Sequence, residues 1–192
     1  MAESIPRSPC LLHRTSSRVV LVDVQTRLLA VLPDPRPLTA ACRLLLEGAR
    51  LLGVPAVAAE QYPRGLGETL PELAALVDSR VEKLRFSAAE VLGWPPAAED
   101  SLQRYQVVLA GLESHVCVLQ TALDLLSQGY SVFVAVDAVA SRRDSDRQMA
   151  LERMISAGAT LTTVESVLFE WCESAAAPEF RTLSGLVKSR AL

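Results

Sequence analysis

Residues 105–137, YQVVLAGLESHVCVLQTALDLLSQGYSVFVAVD, decide the fold. Tyr105 to Leu112 is an unbroken apolar run, which suits a strand buried on both faces of a parallel sheet. From about 115 to 128 the apolar residues recur at helical spacing, and Gly129 closes the helix. Tyr130 to Asp137 is apolar and rich in valine, a second strand. Strand, helix and strand in this order make a right-handed crossover between parallel neighbours.

The same alternation continues outward on both sides. Upstream lie a strand at 18–23, a helix at 37–52 stopped by Gly53 with Pro55 beyond, and a strand at 54–60. A loop at 61–67, a short helix at 69–77, a strand at 80–84 and a loop at Trp94-Pro95-Pro96 follow. Downstream, a polar opening at 141–146 starts a helix that ends at Gly158. A strand at 159–164 and helices at 165–173 and 178–190 complete the chain. The expectation is a single domain over 1–192 with an N-terminal extension at 1–17. Its architecture is a three-layer α/β/α sandwich around a doubly wound, mainly parallel six-stranded sheet. In such sheets ligands sit beyond the carboxyl ends of the strands, where strand order reverses. Asp23, Glu60, the 111–117 turn and Asp137 all fall at such ends.

Composition narrows the function. Of 192 residues, 50% are hydrophobic and 21% charged, as in globular chains. A net charge of −3 and 5% aromatics offer neither a basic footprint nor stacking platforms for nucleic acid. No apolar run reaches the ~18 residues of a membrane span. Arg7, Arg14, Arg18 and several serines resemble a transit peptide, but Glu3 and two prolines interrupt the pattern, so a cytoplasmic chain is expected. No G-x-G-x-x-G follows the first strand and no G-x-x-x-x-G-K-[ST] occurs, so the two commonest phosphate loops of this fold are missing.

Four cysteines, at 10, 42, 117 and 172, have no C-x-x-C spacing. No zinc site or other metal is expected, nor any cofactor. Cys117 lies in the first turn of a helix after a buried strand, where unpaired N–H groups and the helix dipole favour a thiolate nucleophile. From position alone it serves equally well as a small core residue. Asp23 ends the first strand and stands where a general base for the thiol would be, or a structural acid. Arginine takes 17 of the 19 basic positions, so Lys83 is a lysine retained in a chain that otherwise uses arginine. Beside Cys117 it would steady a thiolate; elsewhere it is a solvated surface lysine. His115 is two residues from Cys117 and would not face it on a helix. The turn from Gly111 to Cys117 offers backbone N–H groups to an oxyanion.

Together these residues resemble the isochorismatase-like cysteine hydrolases, a superfamily that includes nicotinamidases and N-carbamoylsarcosine amidohydrolases. The matching segments are Val22-Asp23-Val24-Gln25, Glu60-Gln61-Tyr62-Pro63 with Gly65-Leu66-Gly67, and Lys83-Leu84-Arg85-Phe86-Ser87. The most specific is Gly111-Leu112-Glu113-Ser114-His115-Val116-Cys117-Val118, continuing to Thr121, Asp124, Gly129, Val136-Asp137-Ala138 and Ser141-Arg142. The resemblance implies a catalytic triad of Asp23, Lys83 and Cys117. It also implies a cis peptide at Leu112–Glu113 that turns the Glu113 N–H toward the oxyanion beside that of Cys117. Nicotinamidases bind metal through histidines after the second strand. This chain has none there, and its Glu-Gln-Tyr-Pro loop is similar to that of the isochorismatase domain-containing proteins. The implied activity is metal-independent hydrolysis of a small amide or related C–N bond through a thioester. Gln25, Gln61, Tyr62 and Phe86 are candidates for the pocket wall. Two alternatives stand beside it: vinyl-ether hydrolysis that needs no cysteine, and a vestigial oligomeric scaffold. Alanine- and leucine-rich helices, and the family's habit of assembling as dimers or larger, point to a homo-oligomer acting on a small molecule.

Overall fold

The computed structural model describes residues 6–189. The first five residues of the expected extension, Glu3 included, and the last residue of the helix expected at 178–190 lie outside the described residues. Six strands form one sheet: β1 (Ser17–Val22), β2 (Ala56–Gln61), β3 (Ser79–Lys83), β4 (Gln106–Leu112), β5 (Ser131–Ala140) and β6 (Thr160–Thr162). Their order is β3-β2-β1-β4-β5-β6, and every neighbouring pair is parallel. The chain winds outward from β1 to β3, crosses back, and winds the other way from β4 to β6. The switch point lies between β1 and β4, as the crossover rule requires.

β1 shows why the layers form. All six residues are buried, and they alternate between two cores. Val19 and Leu21 face α1 (Arg36–Leu52), α4 (Val164–Cys172) and α5 (Phe180–Ser189). Val20 and Val22 face α2 (Leu119–Ser127) and α3 (Asp144–Ser156). Gly53 ends α1 at φ 70° with its N–H on the carbonyls of Ala49 and Arg50, the stop that its position suggested.

Most elements fall within a few residues of expectation, and three differences bear on the architecture. β5 runs three residues further, to Ala140, after a register shift against β4 between Leu109 and Gly111. The 61–67 loop contains a turn of helix at Pro63–Leu66. The residues described before β1 are no loose extension. Leu12 is fully buried, Arg7 donates to the carbonyls of Leu12 and Glu170, and Ser17 already belongs to β1. That apolar anchor ties the segment down.

Candidate active site

Gly111 makes the site's backbone possible. It has φ 123°, and a Cβ added there would lie 1.9 Å from the Val22 carbonyl oxygen. Only glycine lets β4 approach the end of β1 this closely. The strands deliver two groups there. Asp23 follows β1 with φ 53°, a conformation that aspartate tolerates better than most residues. After β4, residues 114–118 form a π-helical turn that leads into α2, and the N–H groups of Val116 and Val118 both donate to the Glu113 carbonyl. Cys117 sits within that turn, 6% exposed.

Lys83 comes from the edge strand, two strands from β1. It is the one buried residue of β3, with its side chain fully enclosed. The ammonium donates to Asp23 Oδ2 at 2.8 Å, Gln61 Oε1 at 2.7 Å and the Phe86 carbonyl at 2.9 Å. Three protons meet three acceptors, so the charge is fixed in place. The plain alternative, a solvated lysine, is overturned.

Burial pushes the Asp23 carboxyl above its usual range, against the pull of Lys83 and of the Cys117 thiol. Burial likewise pushes the Cys117 thiol up to about 12, helped by the Asp23 charge and opposed by Lys83. Burial and the Asp23 charge push against the standing thiolate expected from a helix N-terminus, and the ammonium of Lys83 pulls the other way. The thiol lies within reach of the Asp23 carboxyl. Lys83 donates to Oδ2, and Oδ1 is buried without a hydrogen-bond partner.

The expected cis bond is also corrected. Every peptide among the described residues is trans, Leu112–Glu113 included. The chain turns there through Gly111 and through Glu113 in an extended conformation, φ −82° and ψ 142°. A trans bond avoids the ~3–4 kcal/mol of a non-proline cis form.

The four wall candidates divide into two groups. Gln25 is fully buried, and its amide is committed to backbone. Its Oε1 accepts the Gln61 N–H at 2.7 Å, and its Nε2 donates to the carbonyls of Gln61 and Gly67. The Gln61 side chain joins Lys83 to the Leu84 carbonyl. Both glutamines brace the site instead of lining it. Tyr62 and Phe86 are half exposed at its mouth. Beside them a cavity of about 360 Å³ is lined by Tyr62, Pro63, Arg64, Glu82, Lys83 and Leu84.

Other strand-end groups do different work. Glu60 accepts from the Thr69 N–H and pairs with Arg80. Asp137, now inside β5, accepts the Val164 N–H at the start of α4. His115 Nδ1 meets Ser141 Oγ at 3.0 Å and serves no Cys–His dyad. Arg142 had no assigned role. It grips Glu113 in a fork, Nε to Oε1 at 3.0 Å and Nη2 to Oε2 at 2.8 Å. Those bonds hold the Glu113 carboxyl below the usual glutamate range. An acid beside the oxyanion turn, buried by position, was the signal that an arginine partner was needed.

A thiol on the turn after β4, an acid after β1 and the lysine that ends β3 thus meet at the carboxyl edge of the sheet. The model of the isochorismatase domain matches residues 17–166 of this chain. The chain belongs to the isochorismatase domain family. The bovine isochorismatase domain-containing protein 2 is 41% identical over 177 residues, 90% of this chain and 83% of the relative. A Caenorhabditis elegans structure named MAR1 ribonuclease is 34% identical, with TM-score 0.85 over 95% of each chain. The YcaC protein of Escherichia coli, described as an octameric hydrolase of unknown specificity, shares the fold at 24% identity. Its TM-score is 0.80 over 97% of this chain and 100% of that one. Among the described residues, no helix is long and apolar enough to cross a membrane.

Proposed function

We propose that this isochorismatase-family chain is a metal-independent cysteine hydrolase of small amides or related C–N bonds. The observation that carries the reading is the buried Asp23–Lys83 pair, whose free Oδ1 is available to the thiol of Cys117. As the Cys117 sulfur attacks the substrate carbonyl carbon, its proton passes to Asp23. Deprotonation is coupled to attack, so no standing thiolate is needed. The oxyanion is held by the backbone N–H of Cys117, with that of Glu113 the second candidate on the turn. Asp23 returns the proton to the leaving amine, the C–N bond breaks and a thioester remains. Asp23 then takes a proton from water, which attacks the thioester and releases the acid and the thiol. Lys83 keeps Asp23 ionised and supplies the positive charge of the site.

The catalytic groups are 0–6% exposed, which suits a small substrate. Leu84, Phe86 and Tyr62 stand 77%, 52% and 49% exposed around the mouth. A second copy would cover them, and the octameric E. coli relative supports a homo-oligomer. Four free cysteines suit a reducing compartment such as the cytoplasm.

The test is Cys117→Ala against a panel of small amides, read by ammonia or amine release. Turnover should disappear while circular dichroism is unchanged. One observation favours a second reading: a carboxyl raised by burial, as Asp23 is, also suits a general acid toward a vinyl ether. Isochorismate hydrolysis that survives Cys117→Ala would select that chemistry.

A further inference from the structure

A cavity of about 680 Å³ lies at the other end of the sheet. It opens at the amino ends of β1, β2 and β3, where Val19, Ala56 and Ser79 form part of its wall. Val19 and Asp23 are four residues apart, so about 13 Å of strand separates this cavity from the triad. Its size falls in the range of small-molecule sites, roughly 300–1,000 Å³.

Three arginines line it, Arg18, Arg50 and Arg104, against one acid, Asp78. Asp78 already accepts the Ala56 N–H at 2.8 Å. Arg18 is 94% buried by its 6% exposure, is paired with Asp100, and stacks 4.2 Å from the centre of the Trp94 ring. Its Nε–H is buried and has no acceptor. An orphaned charged donor is costly, and a negative charge bound nearby would offset part of that cost. Arg104 holds the Arg14 and Ser17 carbonyls through one nitrogen, Nη1. Burial, and then the neighbouring Arg18 charge, pull it below the usual arginine range. An anion held by Arg104 and Arg50 would offset the repulsion that Arg104 feels from Arg18. The carbonyl end of α1 faces the same space and opposes an anion. However, Gly53 and Val54 cap its Ala49 carbonyl, Gly53 also caps that of Arg50, and the Arg50 side chain adds a positive charge.

We propose that this cavity is a second binding site for a small organic anion, carrying one phosphate or carboxylate on a flat apolar body. The anionic group meets Arg104 and Arg50. The flat body lies along Trp94 and Leu102, both of which line the cavity. The site is separate from the cysteine chemistry and stands whether or not that chemistry is correct.

The test is isothermal titration of the full chain with phenyl phosphate, inorganic phosphate, benzoate and benzylammonium. Saturable 1:1 binding of phenyl phosphate or benzoate is expected, and whichever binds tighter identifies the preferred anionic group. Inorganic phosphate should bind at least tenfold more weakly than phenyl phosphate, and benzylammonium not at all. Leu102 is 69% exposed, so Leu102→Glu adds a repelling charge without disturbing the core. That variant and Arg50→Gln should each weaken binding at least tenfold, while Cys117→Ala binds as the parent does. Four silent titrations would overturn the proposal. So would equal binding of benzylammonium, affinity unchanged in both cavity variants, or affinity lost in Cys117→Ala.

Discussion

β1 carries a buried ion pair at each end, and each pair leaves one atom orphaned. At the carboxyl end, Asp23 and Lys83 leave an acceptor, Asp23 Oδ1. At the amino end, Arg18 and Asp100 leave a donor, Arg18 Nε. The electrostatic device is the same, and the neighbours decide what it does. In the proposed mechanism the free acceptor beside the Cys117 thiol acts as the base. In the proposed second site the free donor, with Trp94 and Arg104, forms the wall that an anion would meet. The choice of cation follows: lysine offers a compact charge with three protons, and arginine a plane that stacks.

The largest expected effect separates the two ends. Lys83→Met leaves Asp23 buried without its counter-charge, and Asp100→Asn does the same to Arg18. Breaking a buried pair costs about 3–5 kcal/mol, so both variants should unfold at clearly lower urea. Turnover should collapse about a thousandfold or more in Lys83→Met, because Asp23 protonates and the base is lost. It should stay near the parent value in Asp100→Asn. Equal loss of turnover in both would show that the two ends are one coupled unit.

Two glycines sharpen the contrast. At Gly111 a Cβ would meet rigid backbone at 1.9 Å, at φ 123°. Gly111→Ala must push β4 from β1, and its melting temperature should fall well beyond the range of an ordinary core swap. Gly53 has φ 70° and nothing within 4 Å. Gly53→Ala should cost about 1–2 kcal/mol, the penalty of a left-handed alanine. A Gly111→Ala variant as stable as Gly53→Ala would mean that β4 can slide and that the site is softer than its packing indicates.

Much of the carboxyl end was legible in the sequence. Valine runs marked β1, β4 and β5, glycines marked helix ends, the order of strands placed Asp23 and the turn that carries Cys117 at one edge, and Lys83 stood out as a lysine in a chain that otherwise uses arginine. Ionisation was not legible there, because it depends on burial: the helix position of Cys117 suggests a thiolate, while burial pushes the thiol up. Nor were the roles of Gln25 and Gln61, whose amides look free in sequence and are committed once β1 and β2 lie side by side. The amino end was silent. Arg18, Arg50, Trp94 and Arg104 are scattered over 87 positions and meet only when the sheet forms.

The next variant sets two readouts against each other. Asp23→Asn should abolish hydrolysis. It also removes the charge that, after burial, does most to raise the Cys117 thiol. Iodoacetamide should therefore label Cys117 faster in the variant than in the parent at pH 9, as mapped by peptide mass spectrometry. In the parent, labelling should be slow across pH 6–9, since a thiol near 12 is almost wholly protonated there. Fast parental labelling at pH 6 would restore the standing thiolate and remove the need for Asp23 as a base.

The smallest effect lies on the turn itself. Arg142 is half exposed, but its fork keeps the buried Glu113 carboxyl ionised below the usual glutamate range. In Arg142→Gln the fork is gone and burial raises that carboxyl, so Glu113 protonates at a higher pH than in the parent. A protonated Glu113 holds the Arg142 backbone N–H less well, and the turn carrying Cys117 loosens. The kcat/KM of Arg142→Gln should therefore drop several-fold, and its acid limb should shift to higher pH. Arg142→Lys restores the charge without the fork and should recover part of the shift. A merely structural arginine would lower activity equally at every pH. An unshifted limb would thus leave Arg142 as packing, and Asp23 as the only carboxyl whose proton the reaction feels.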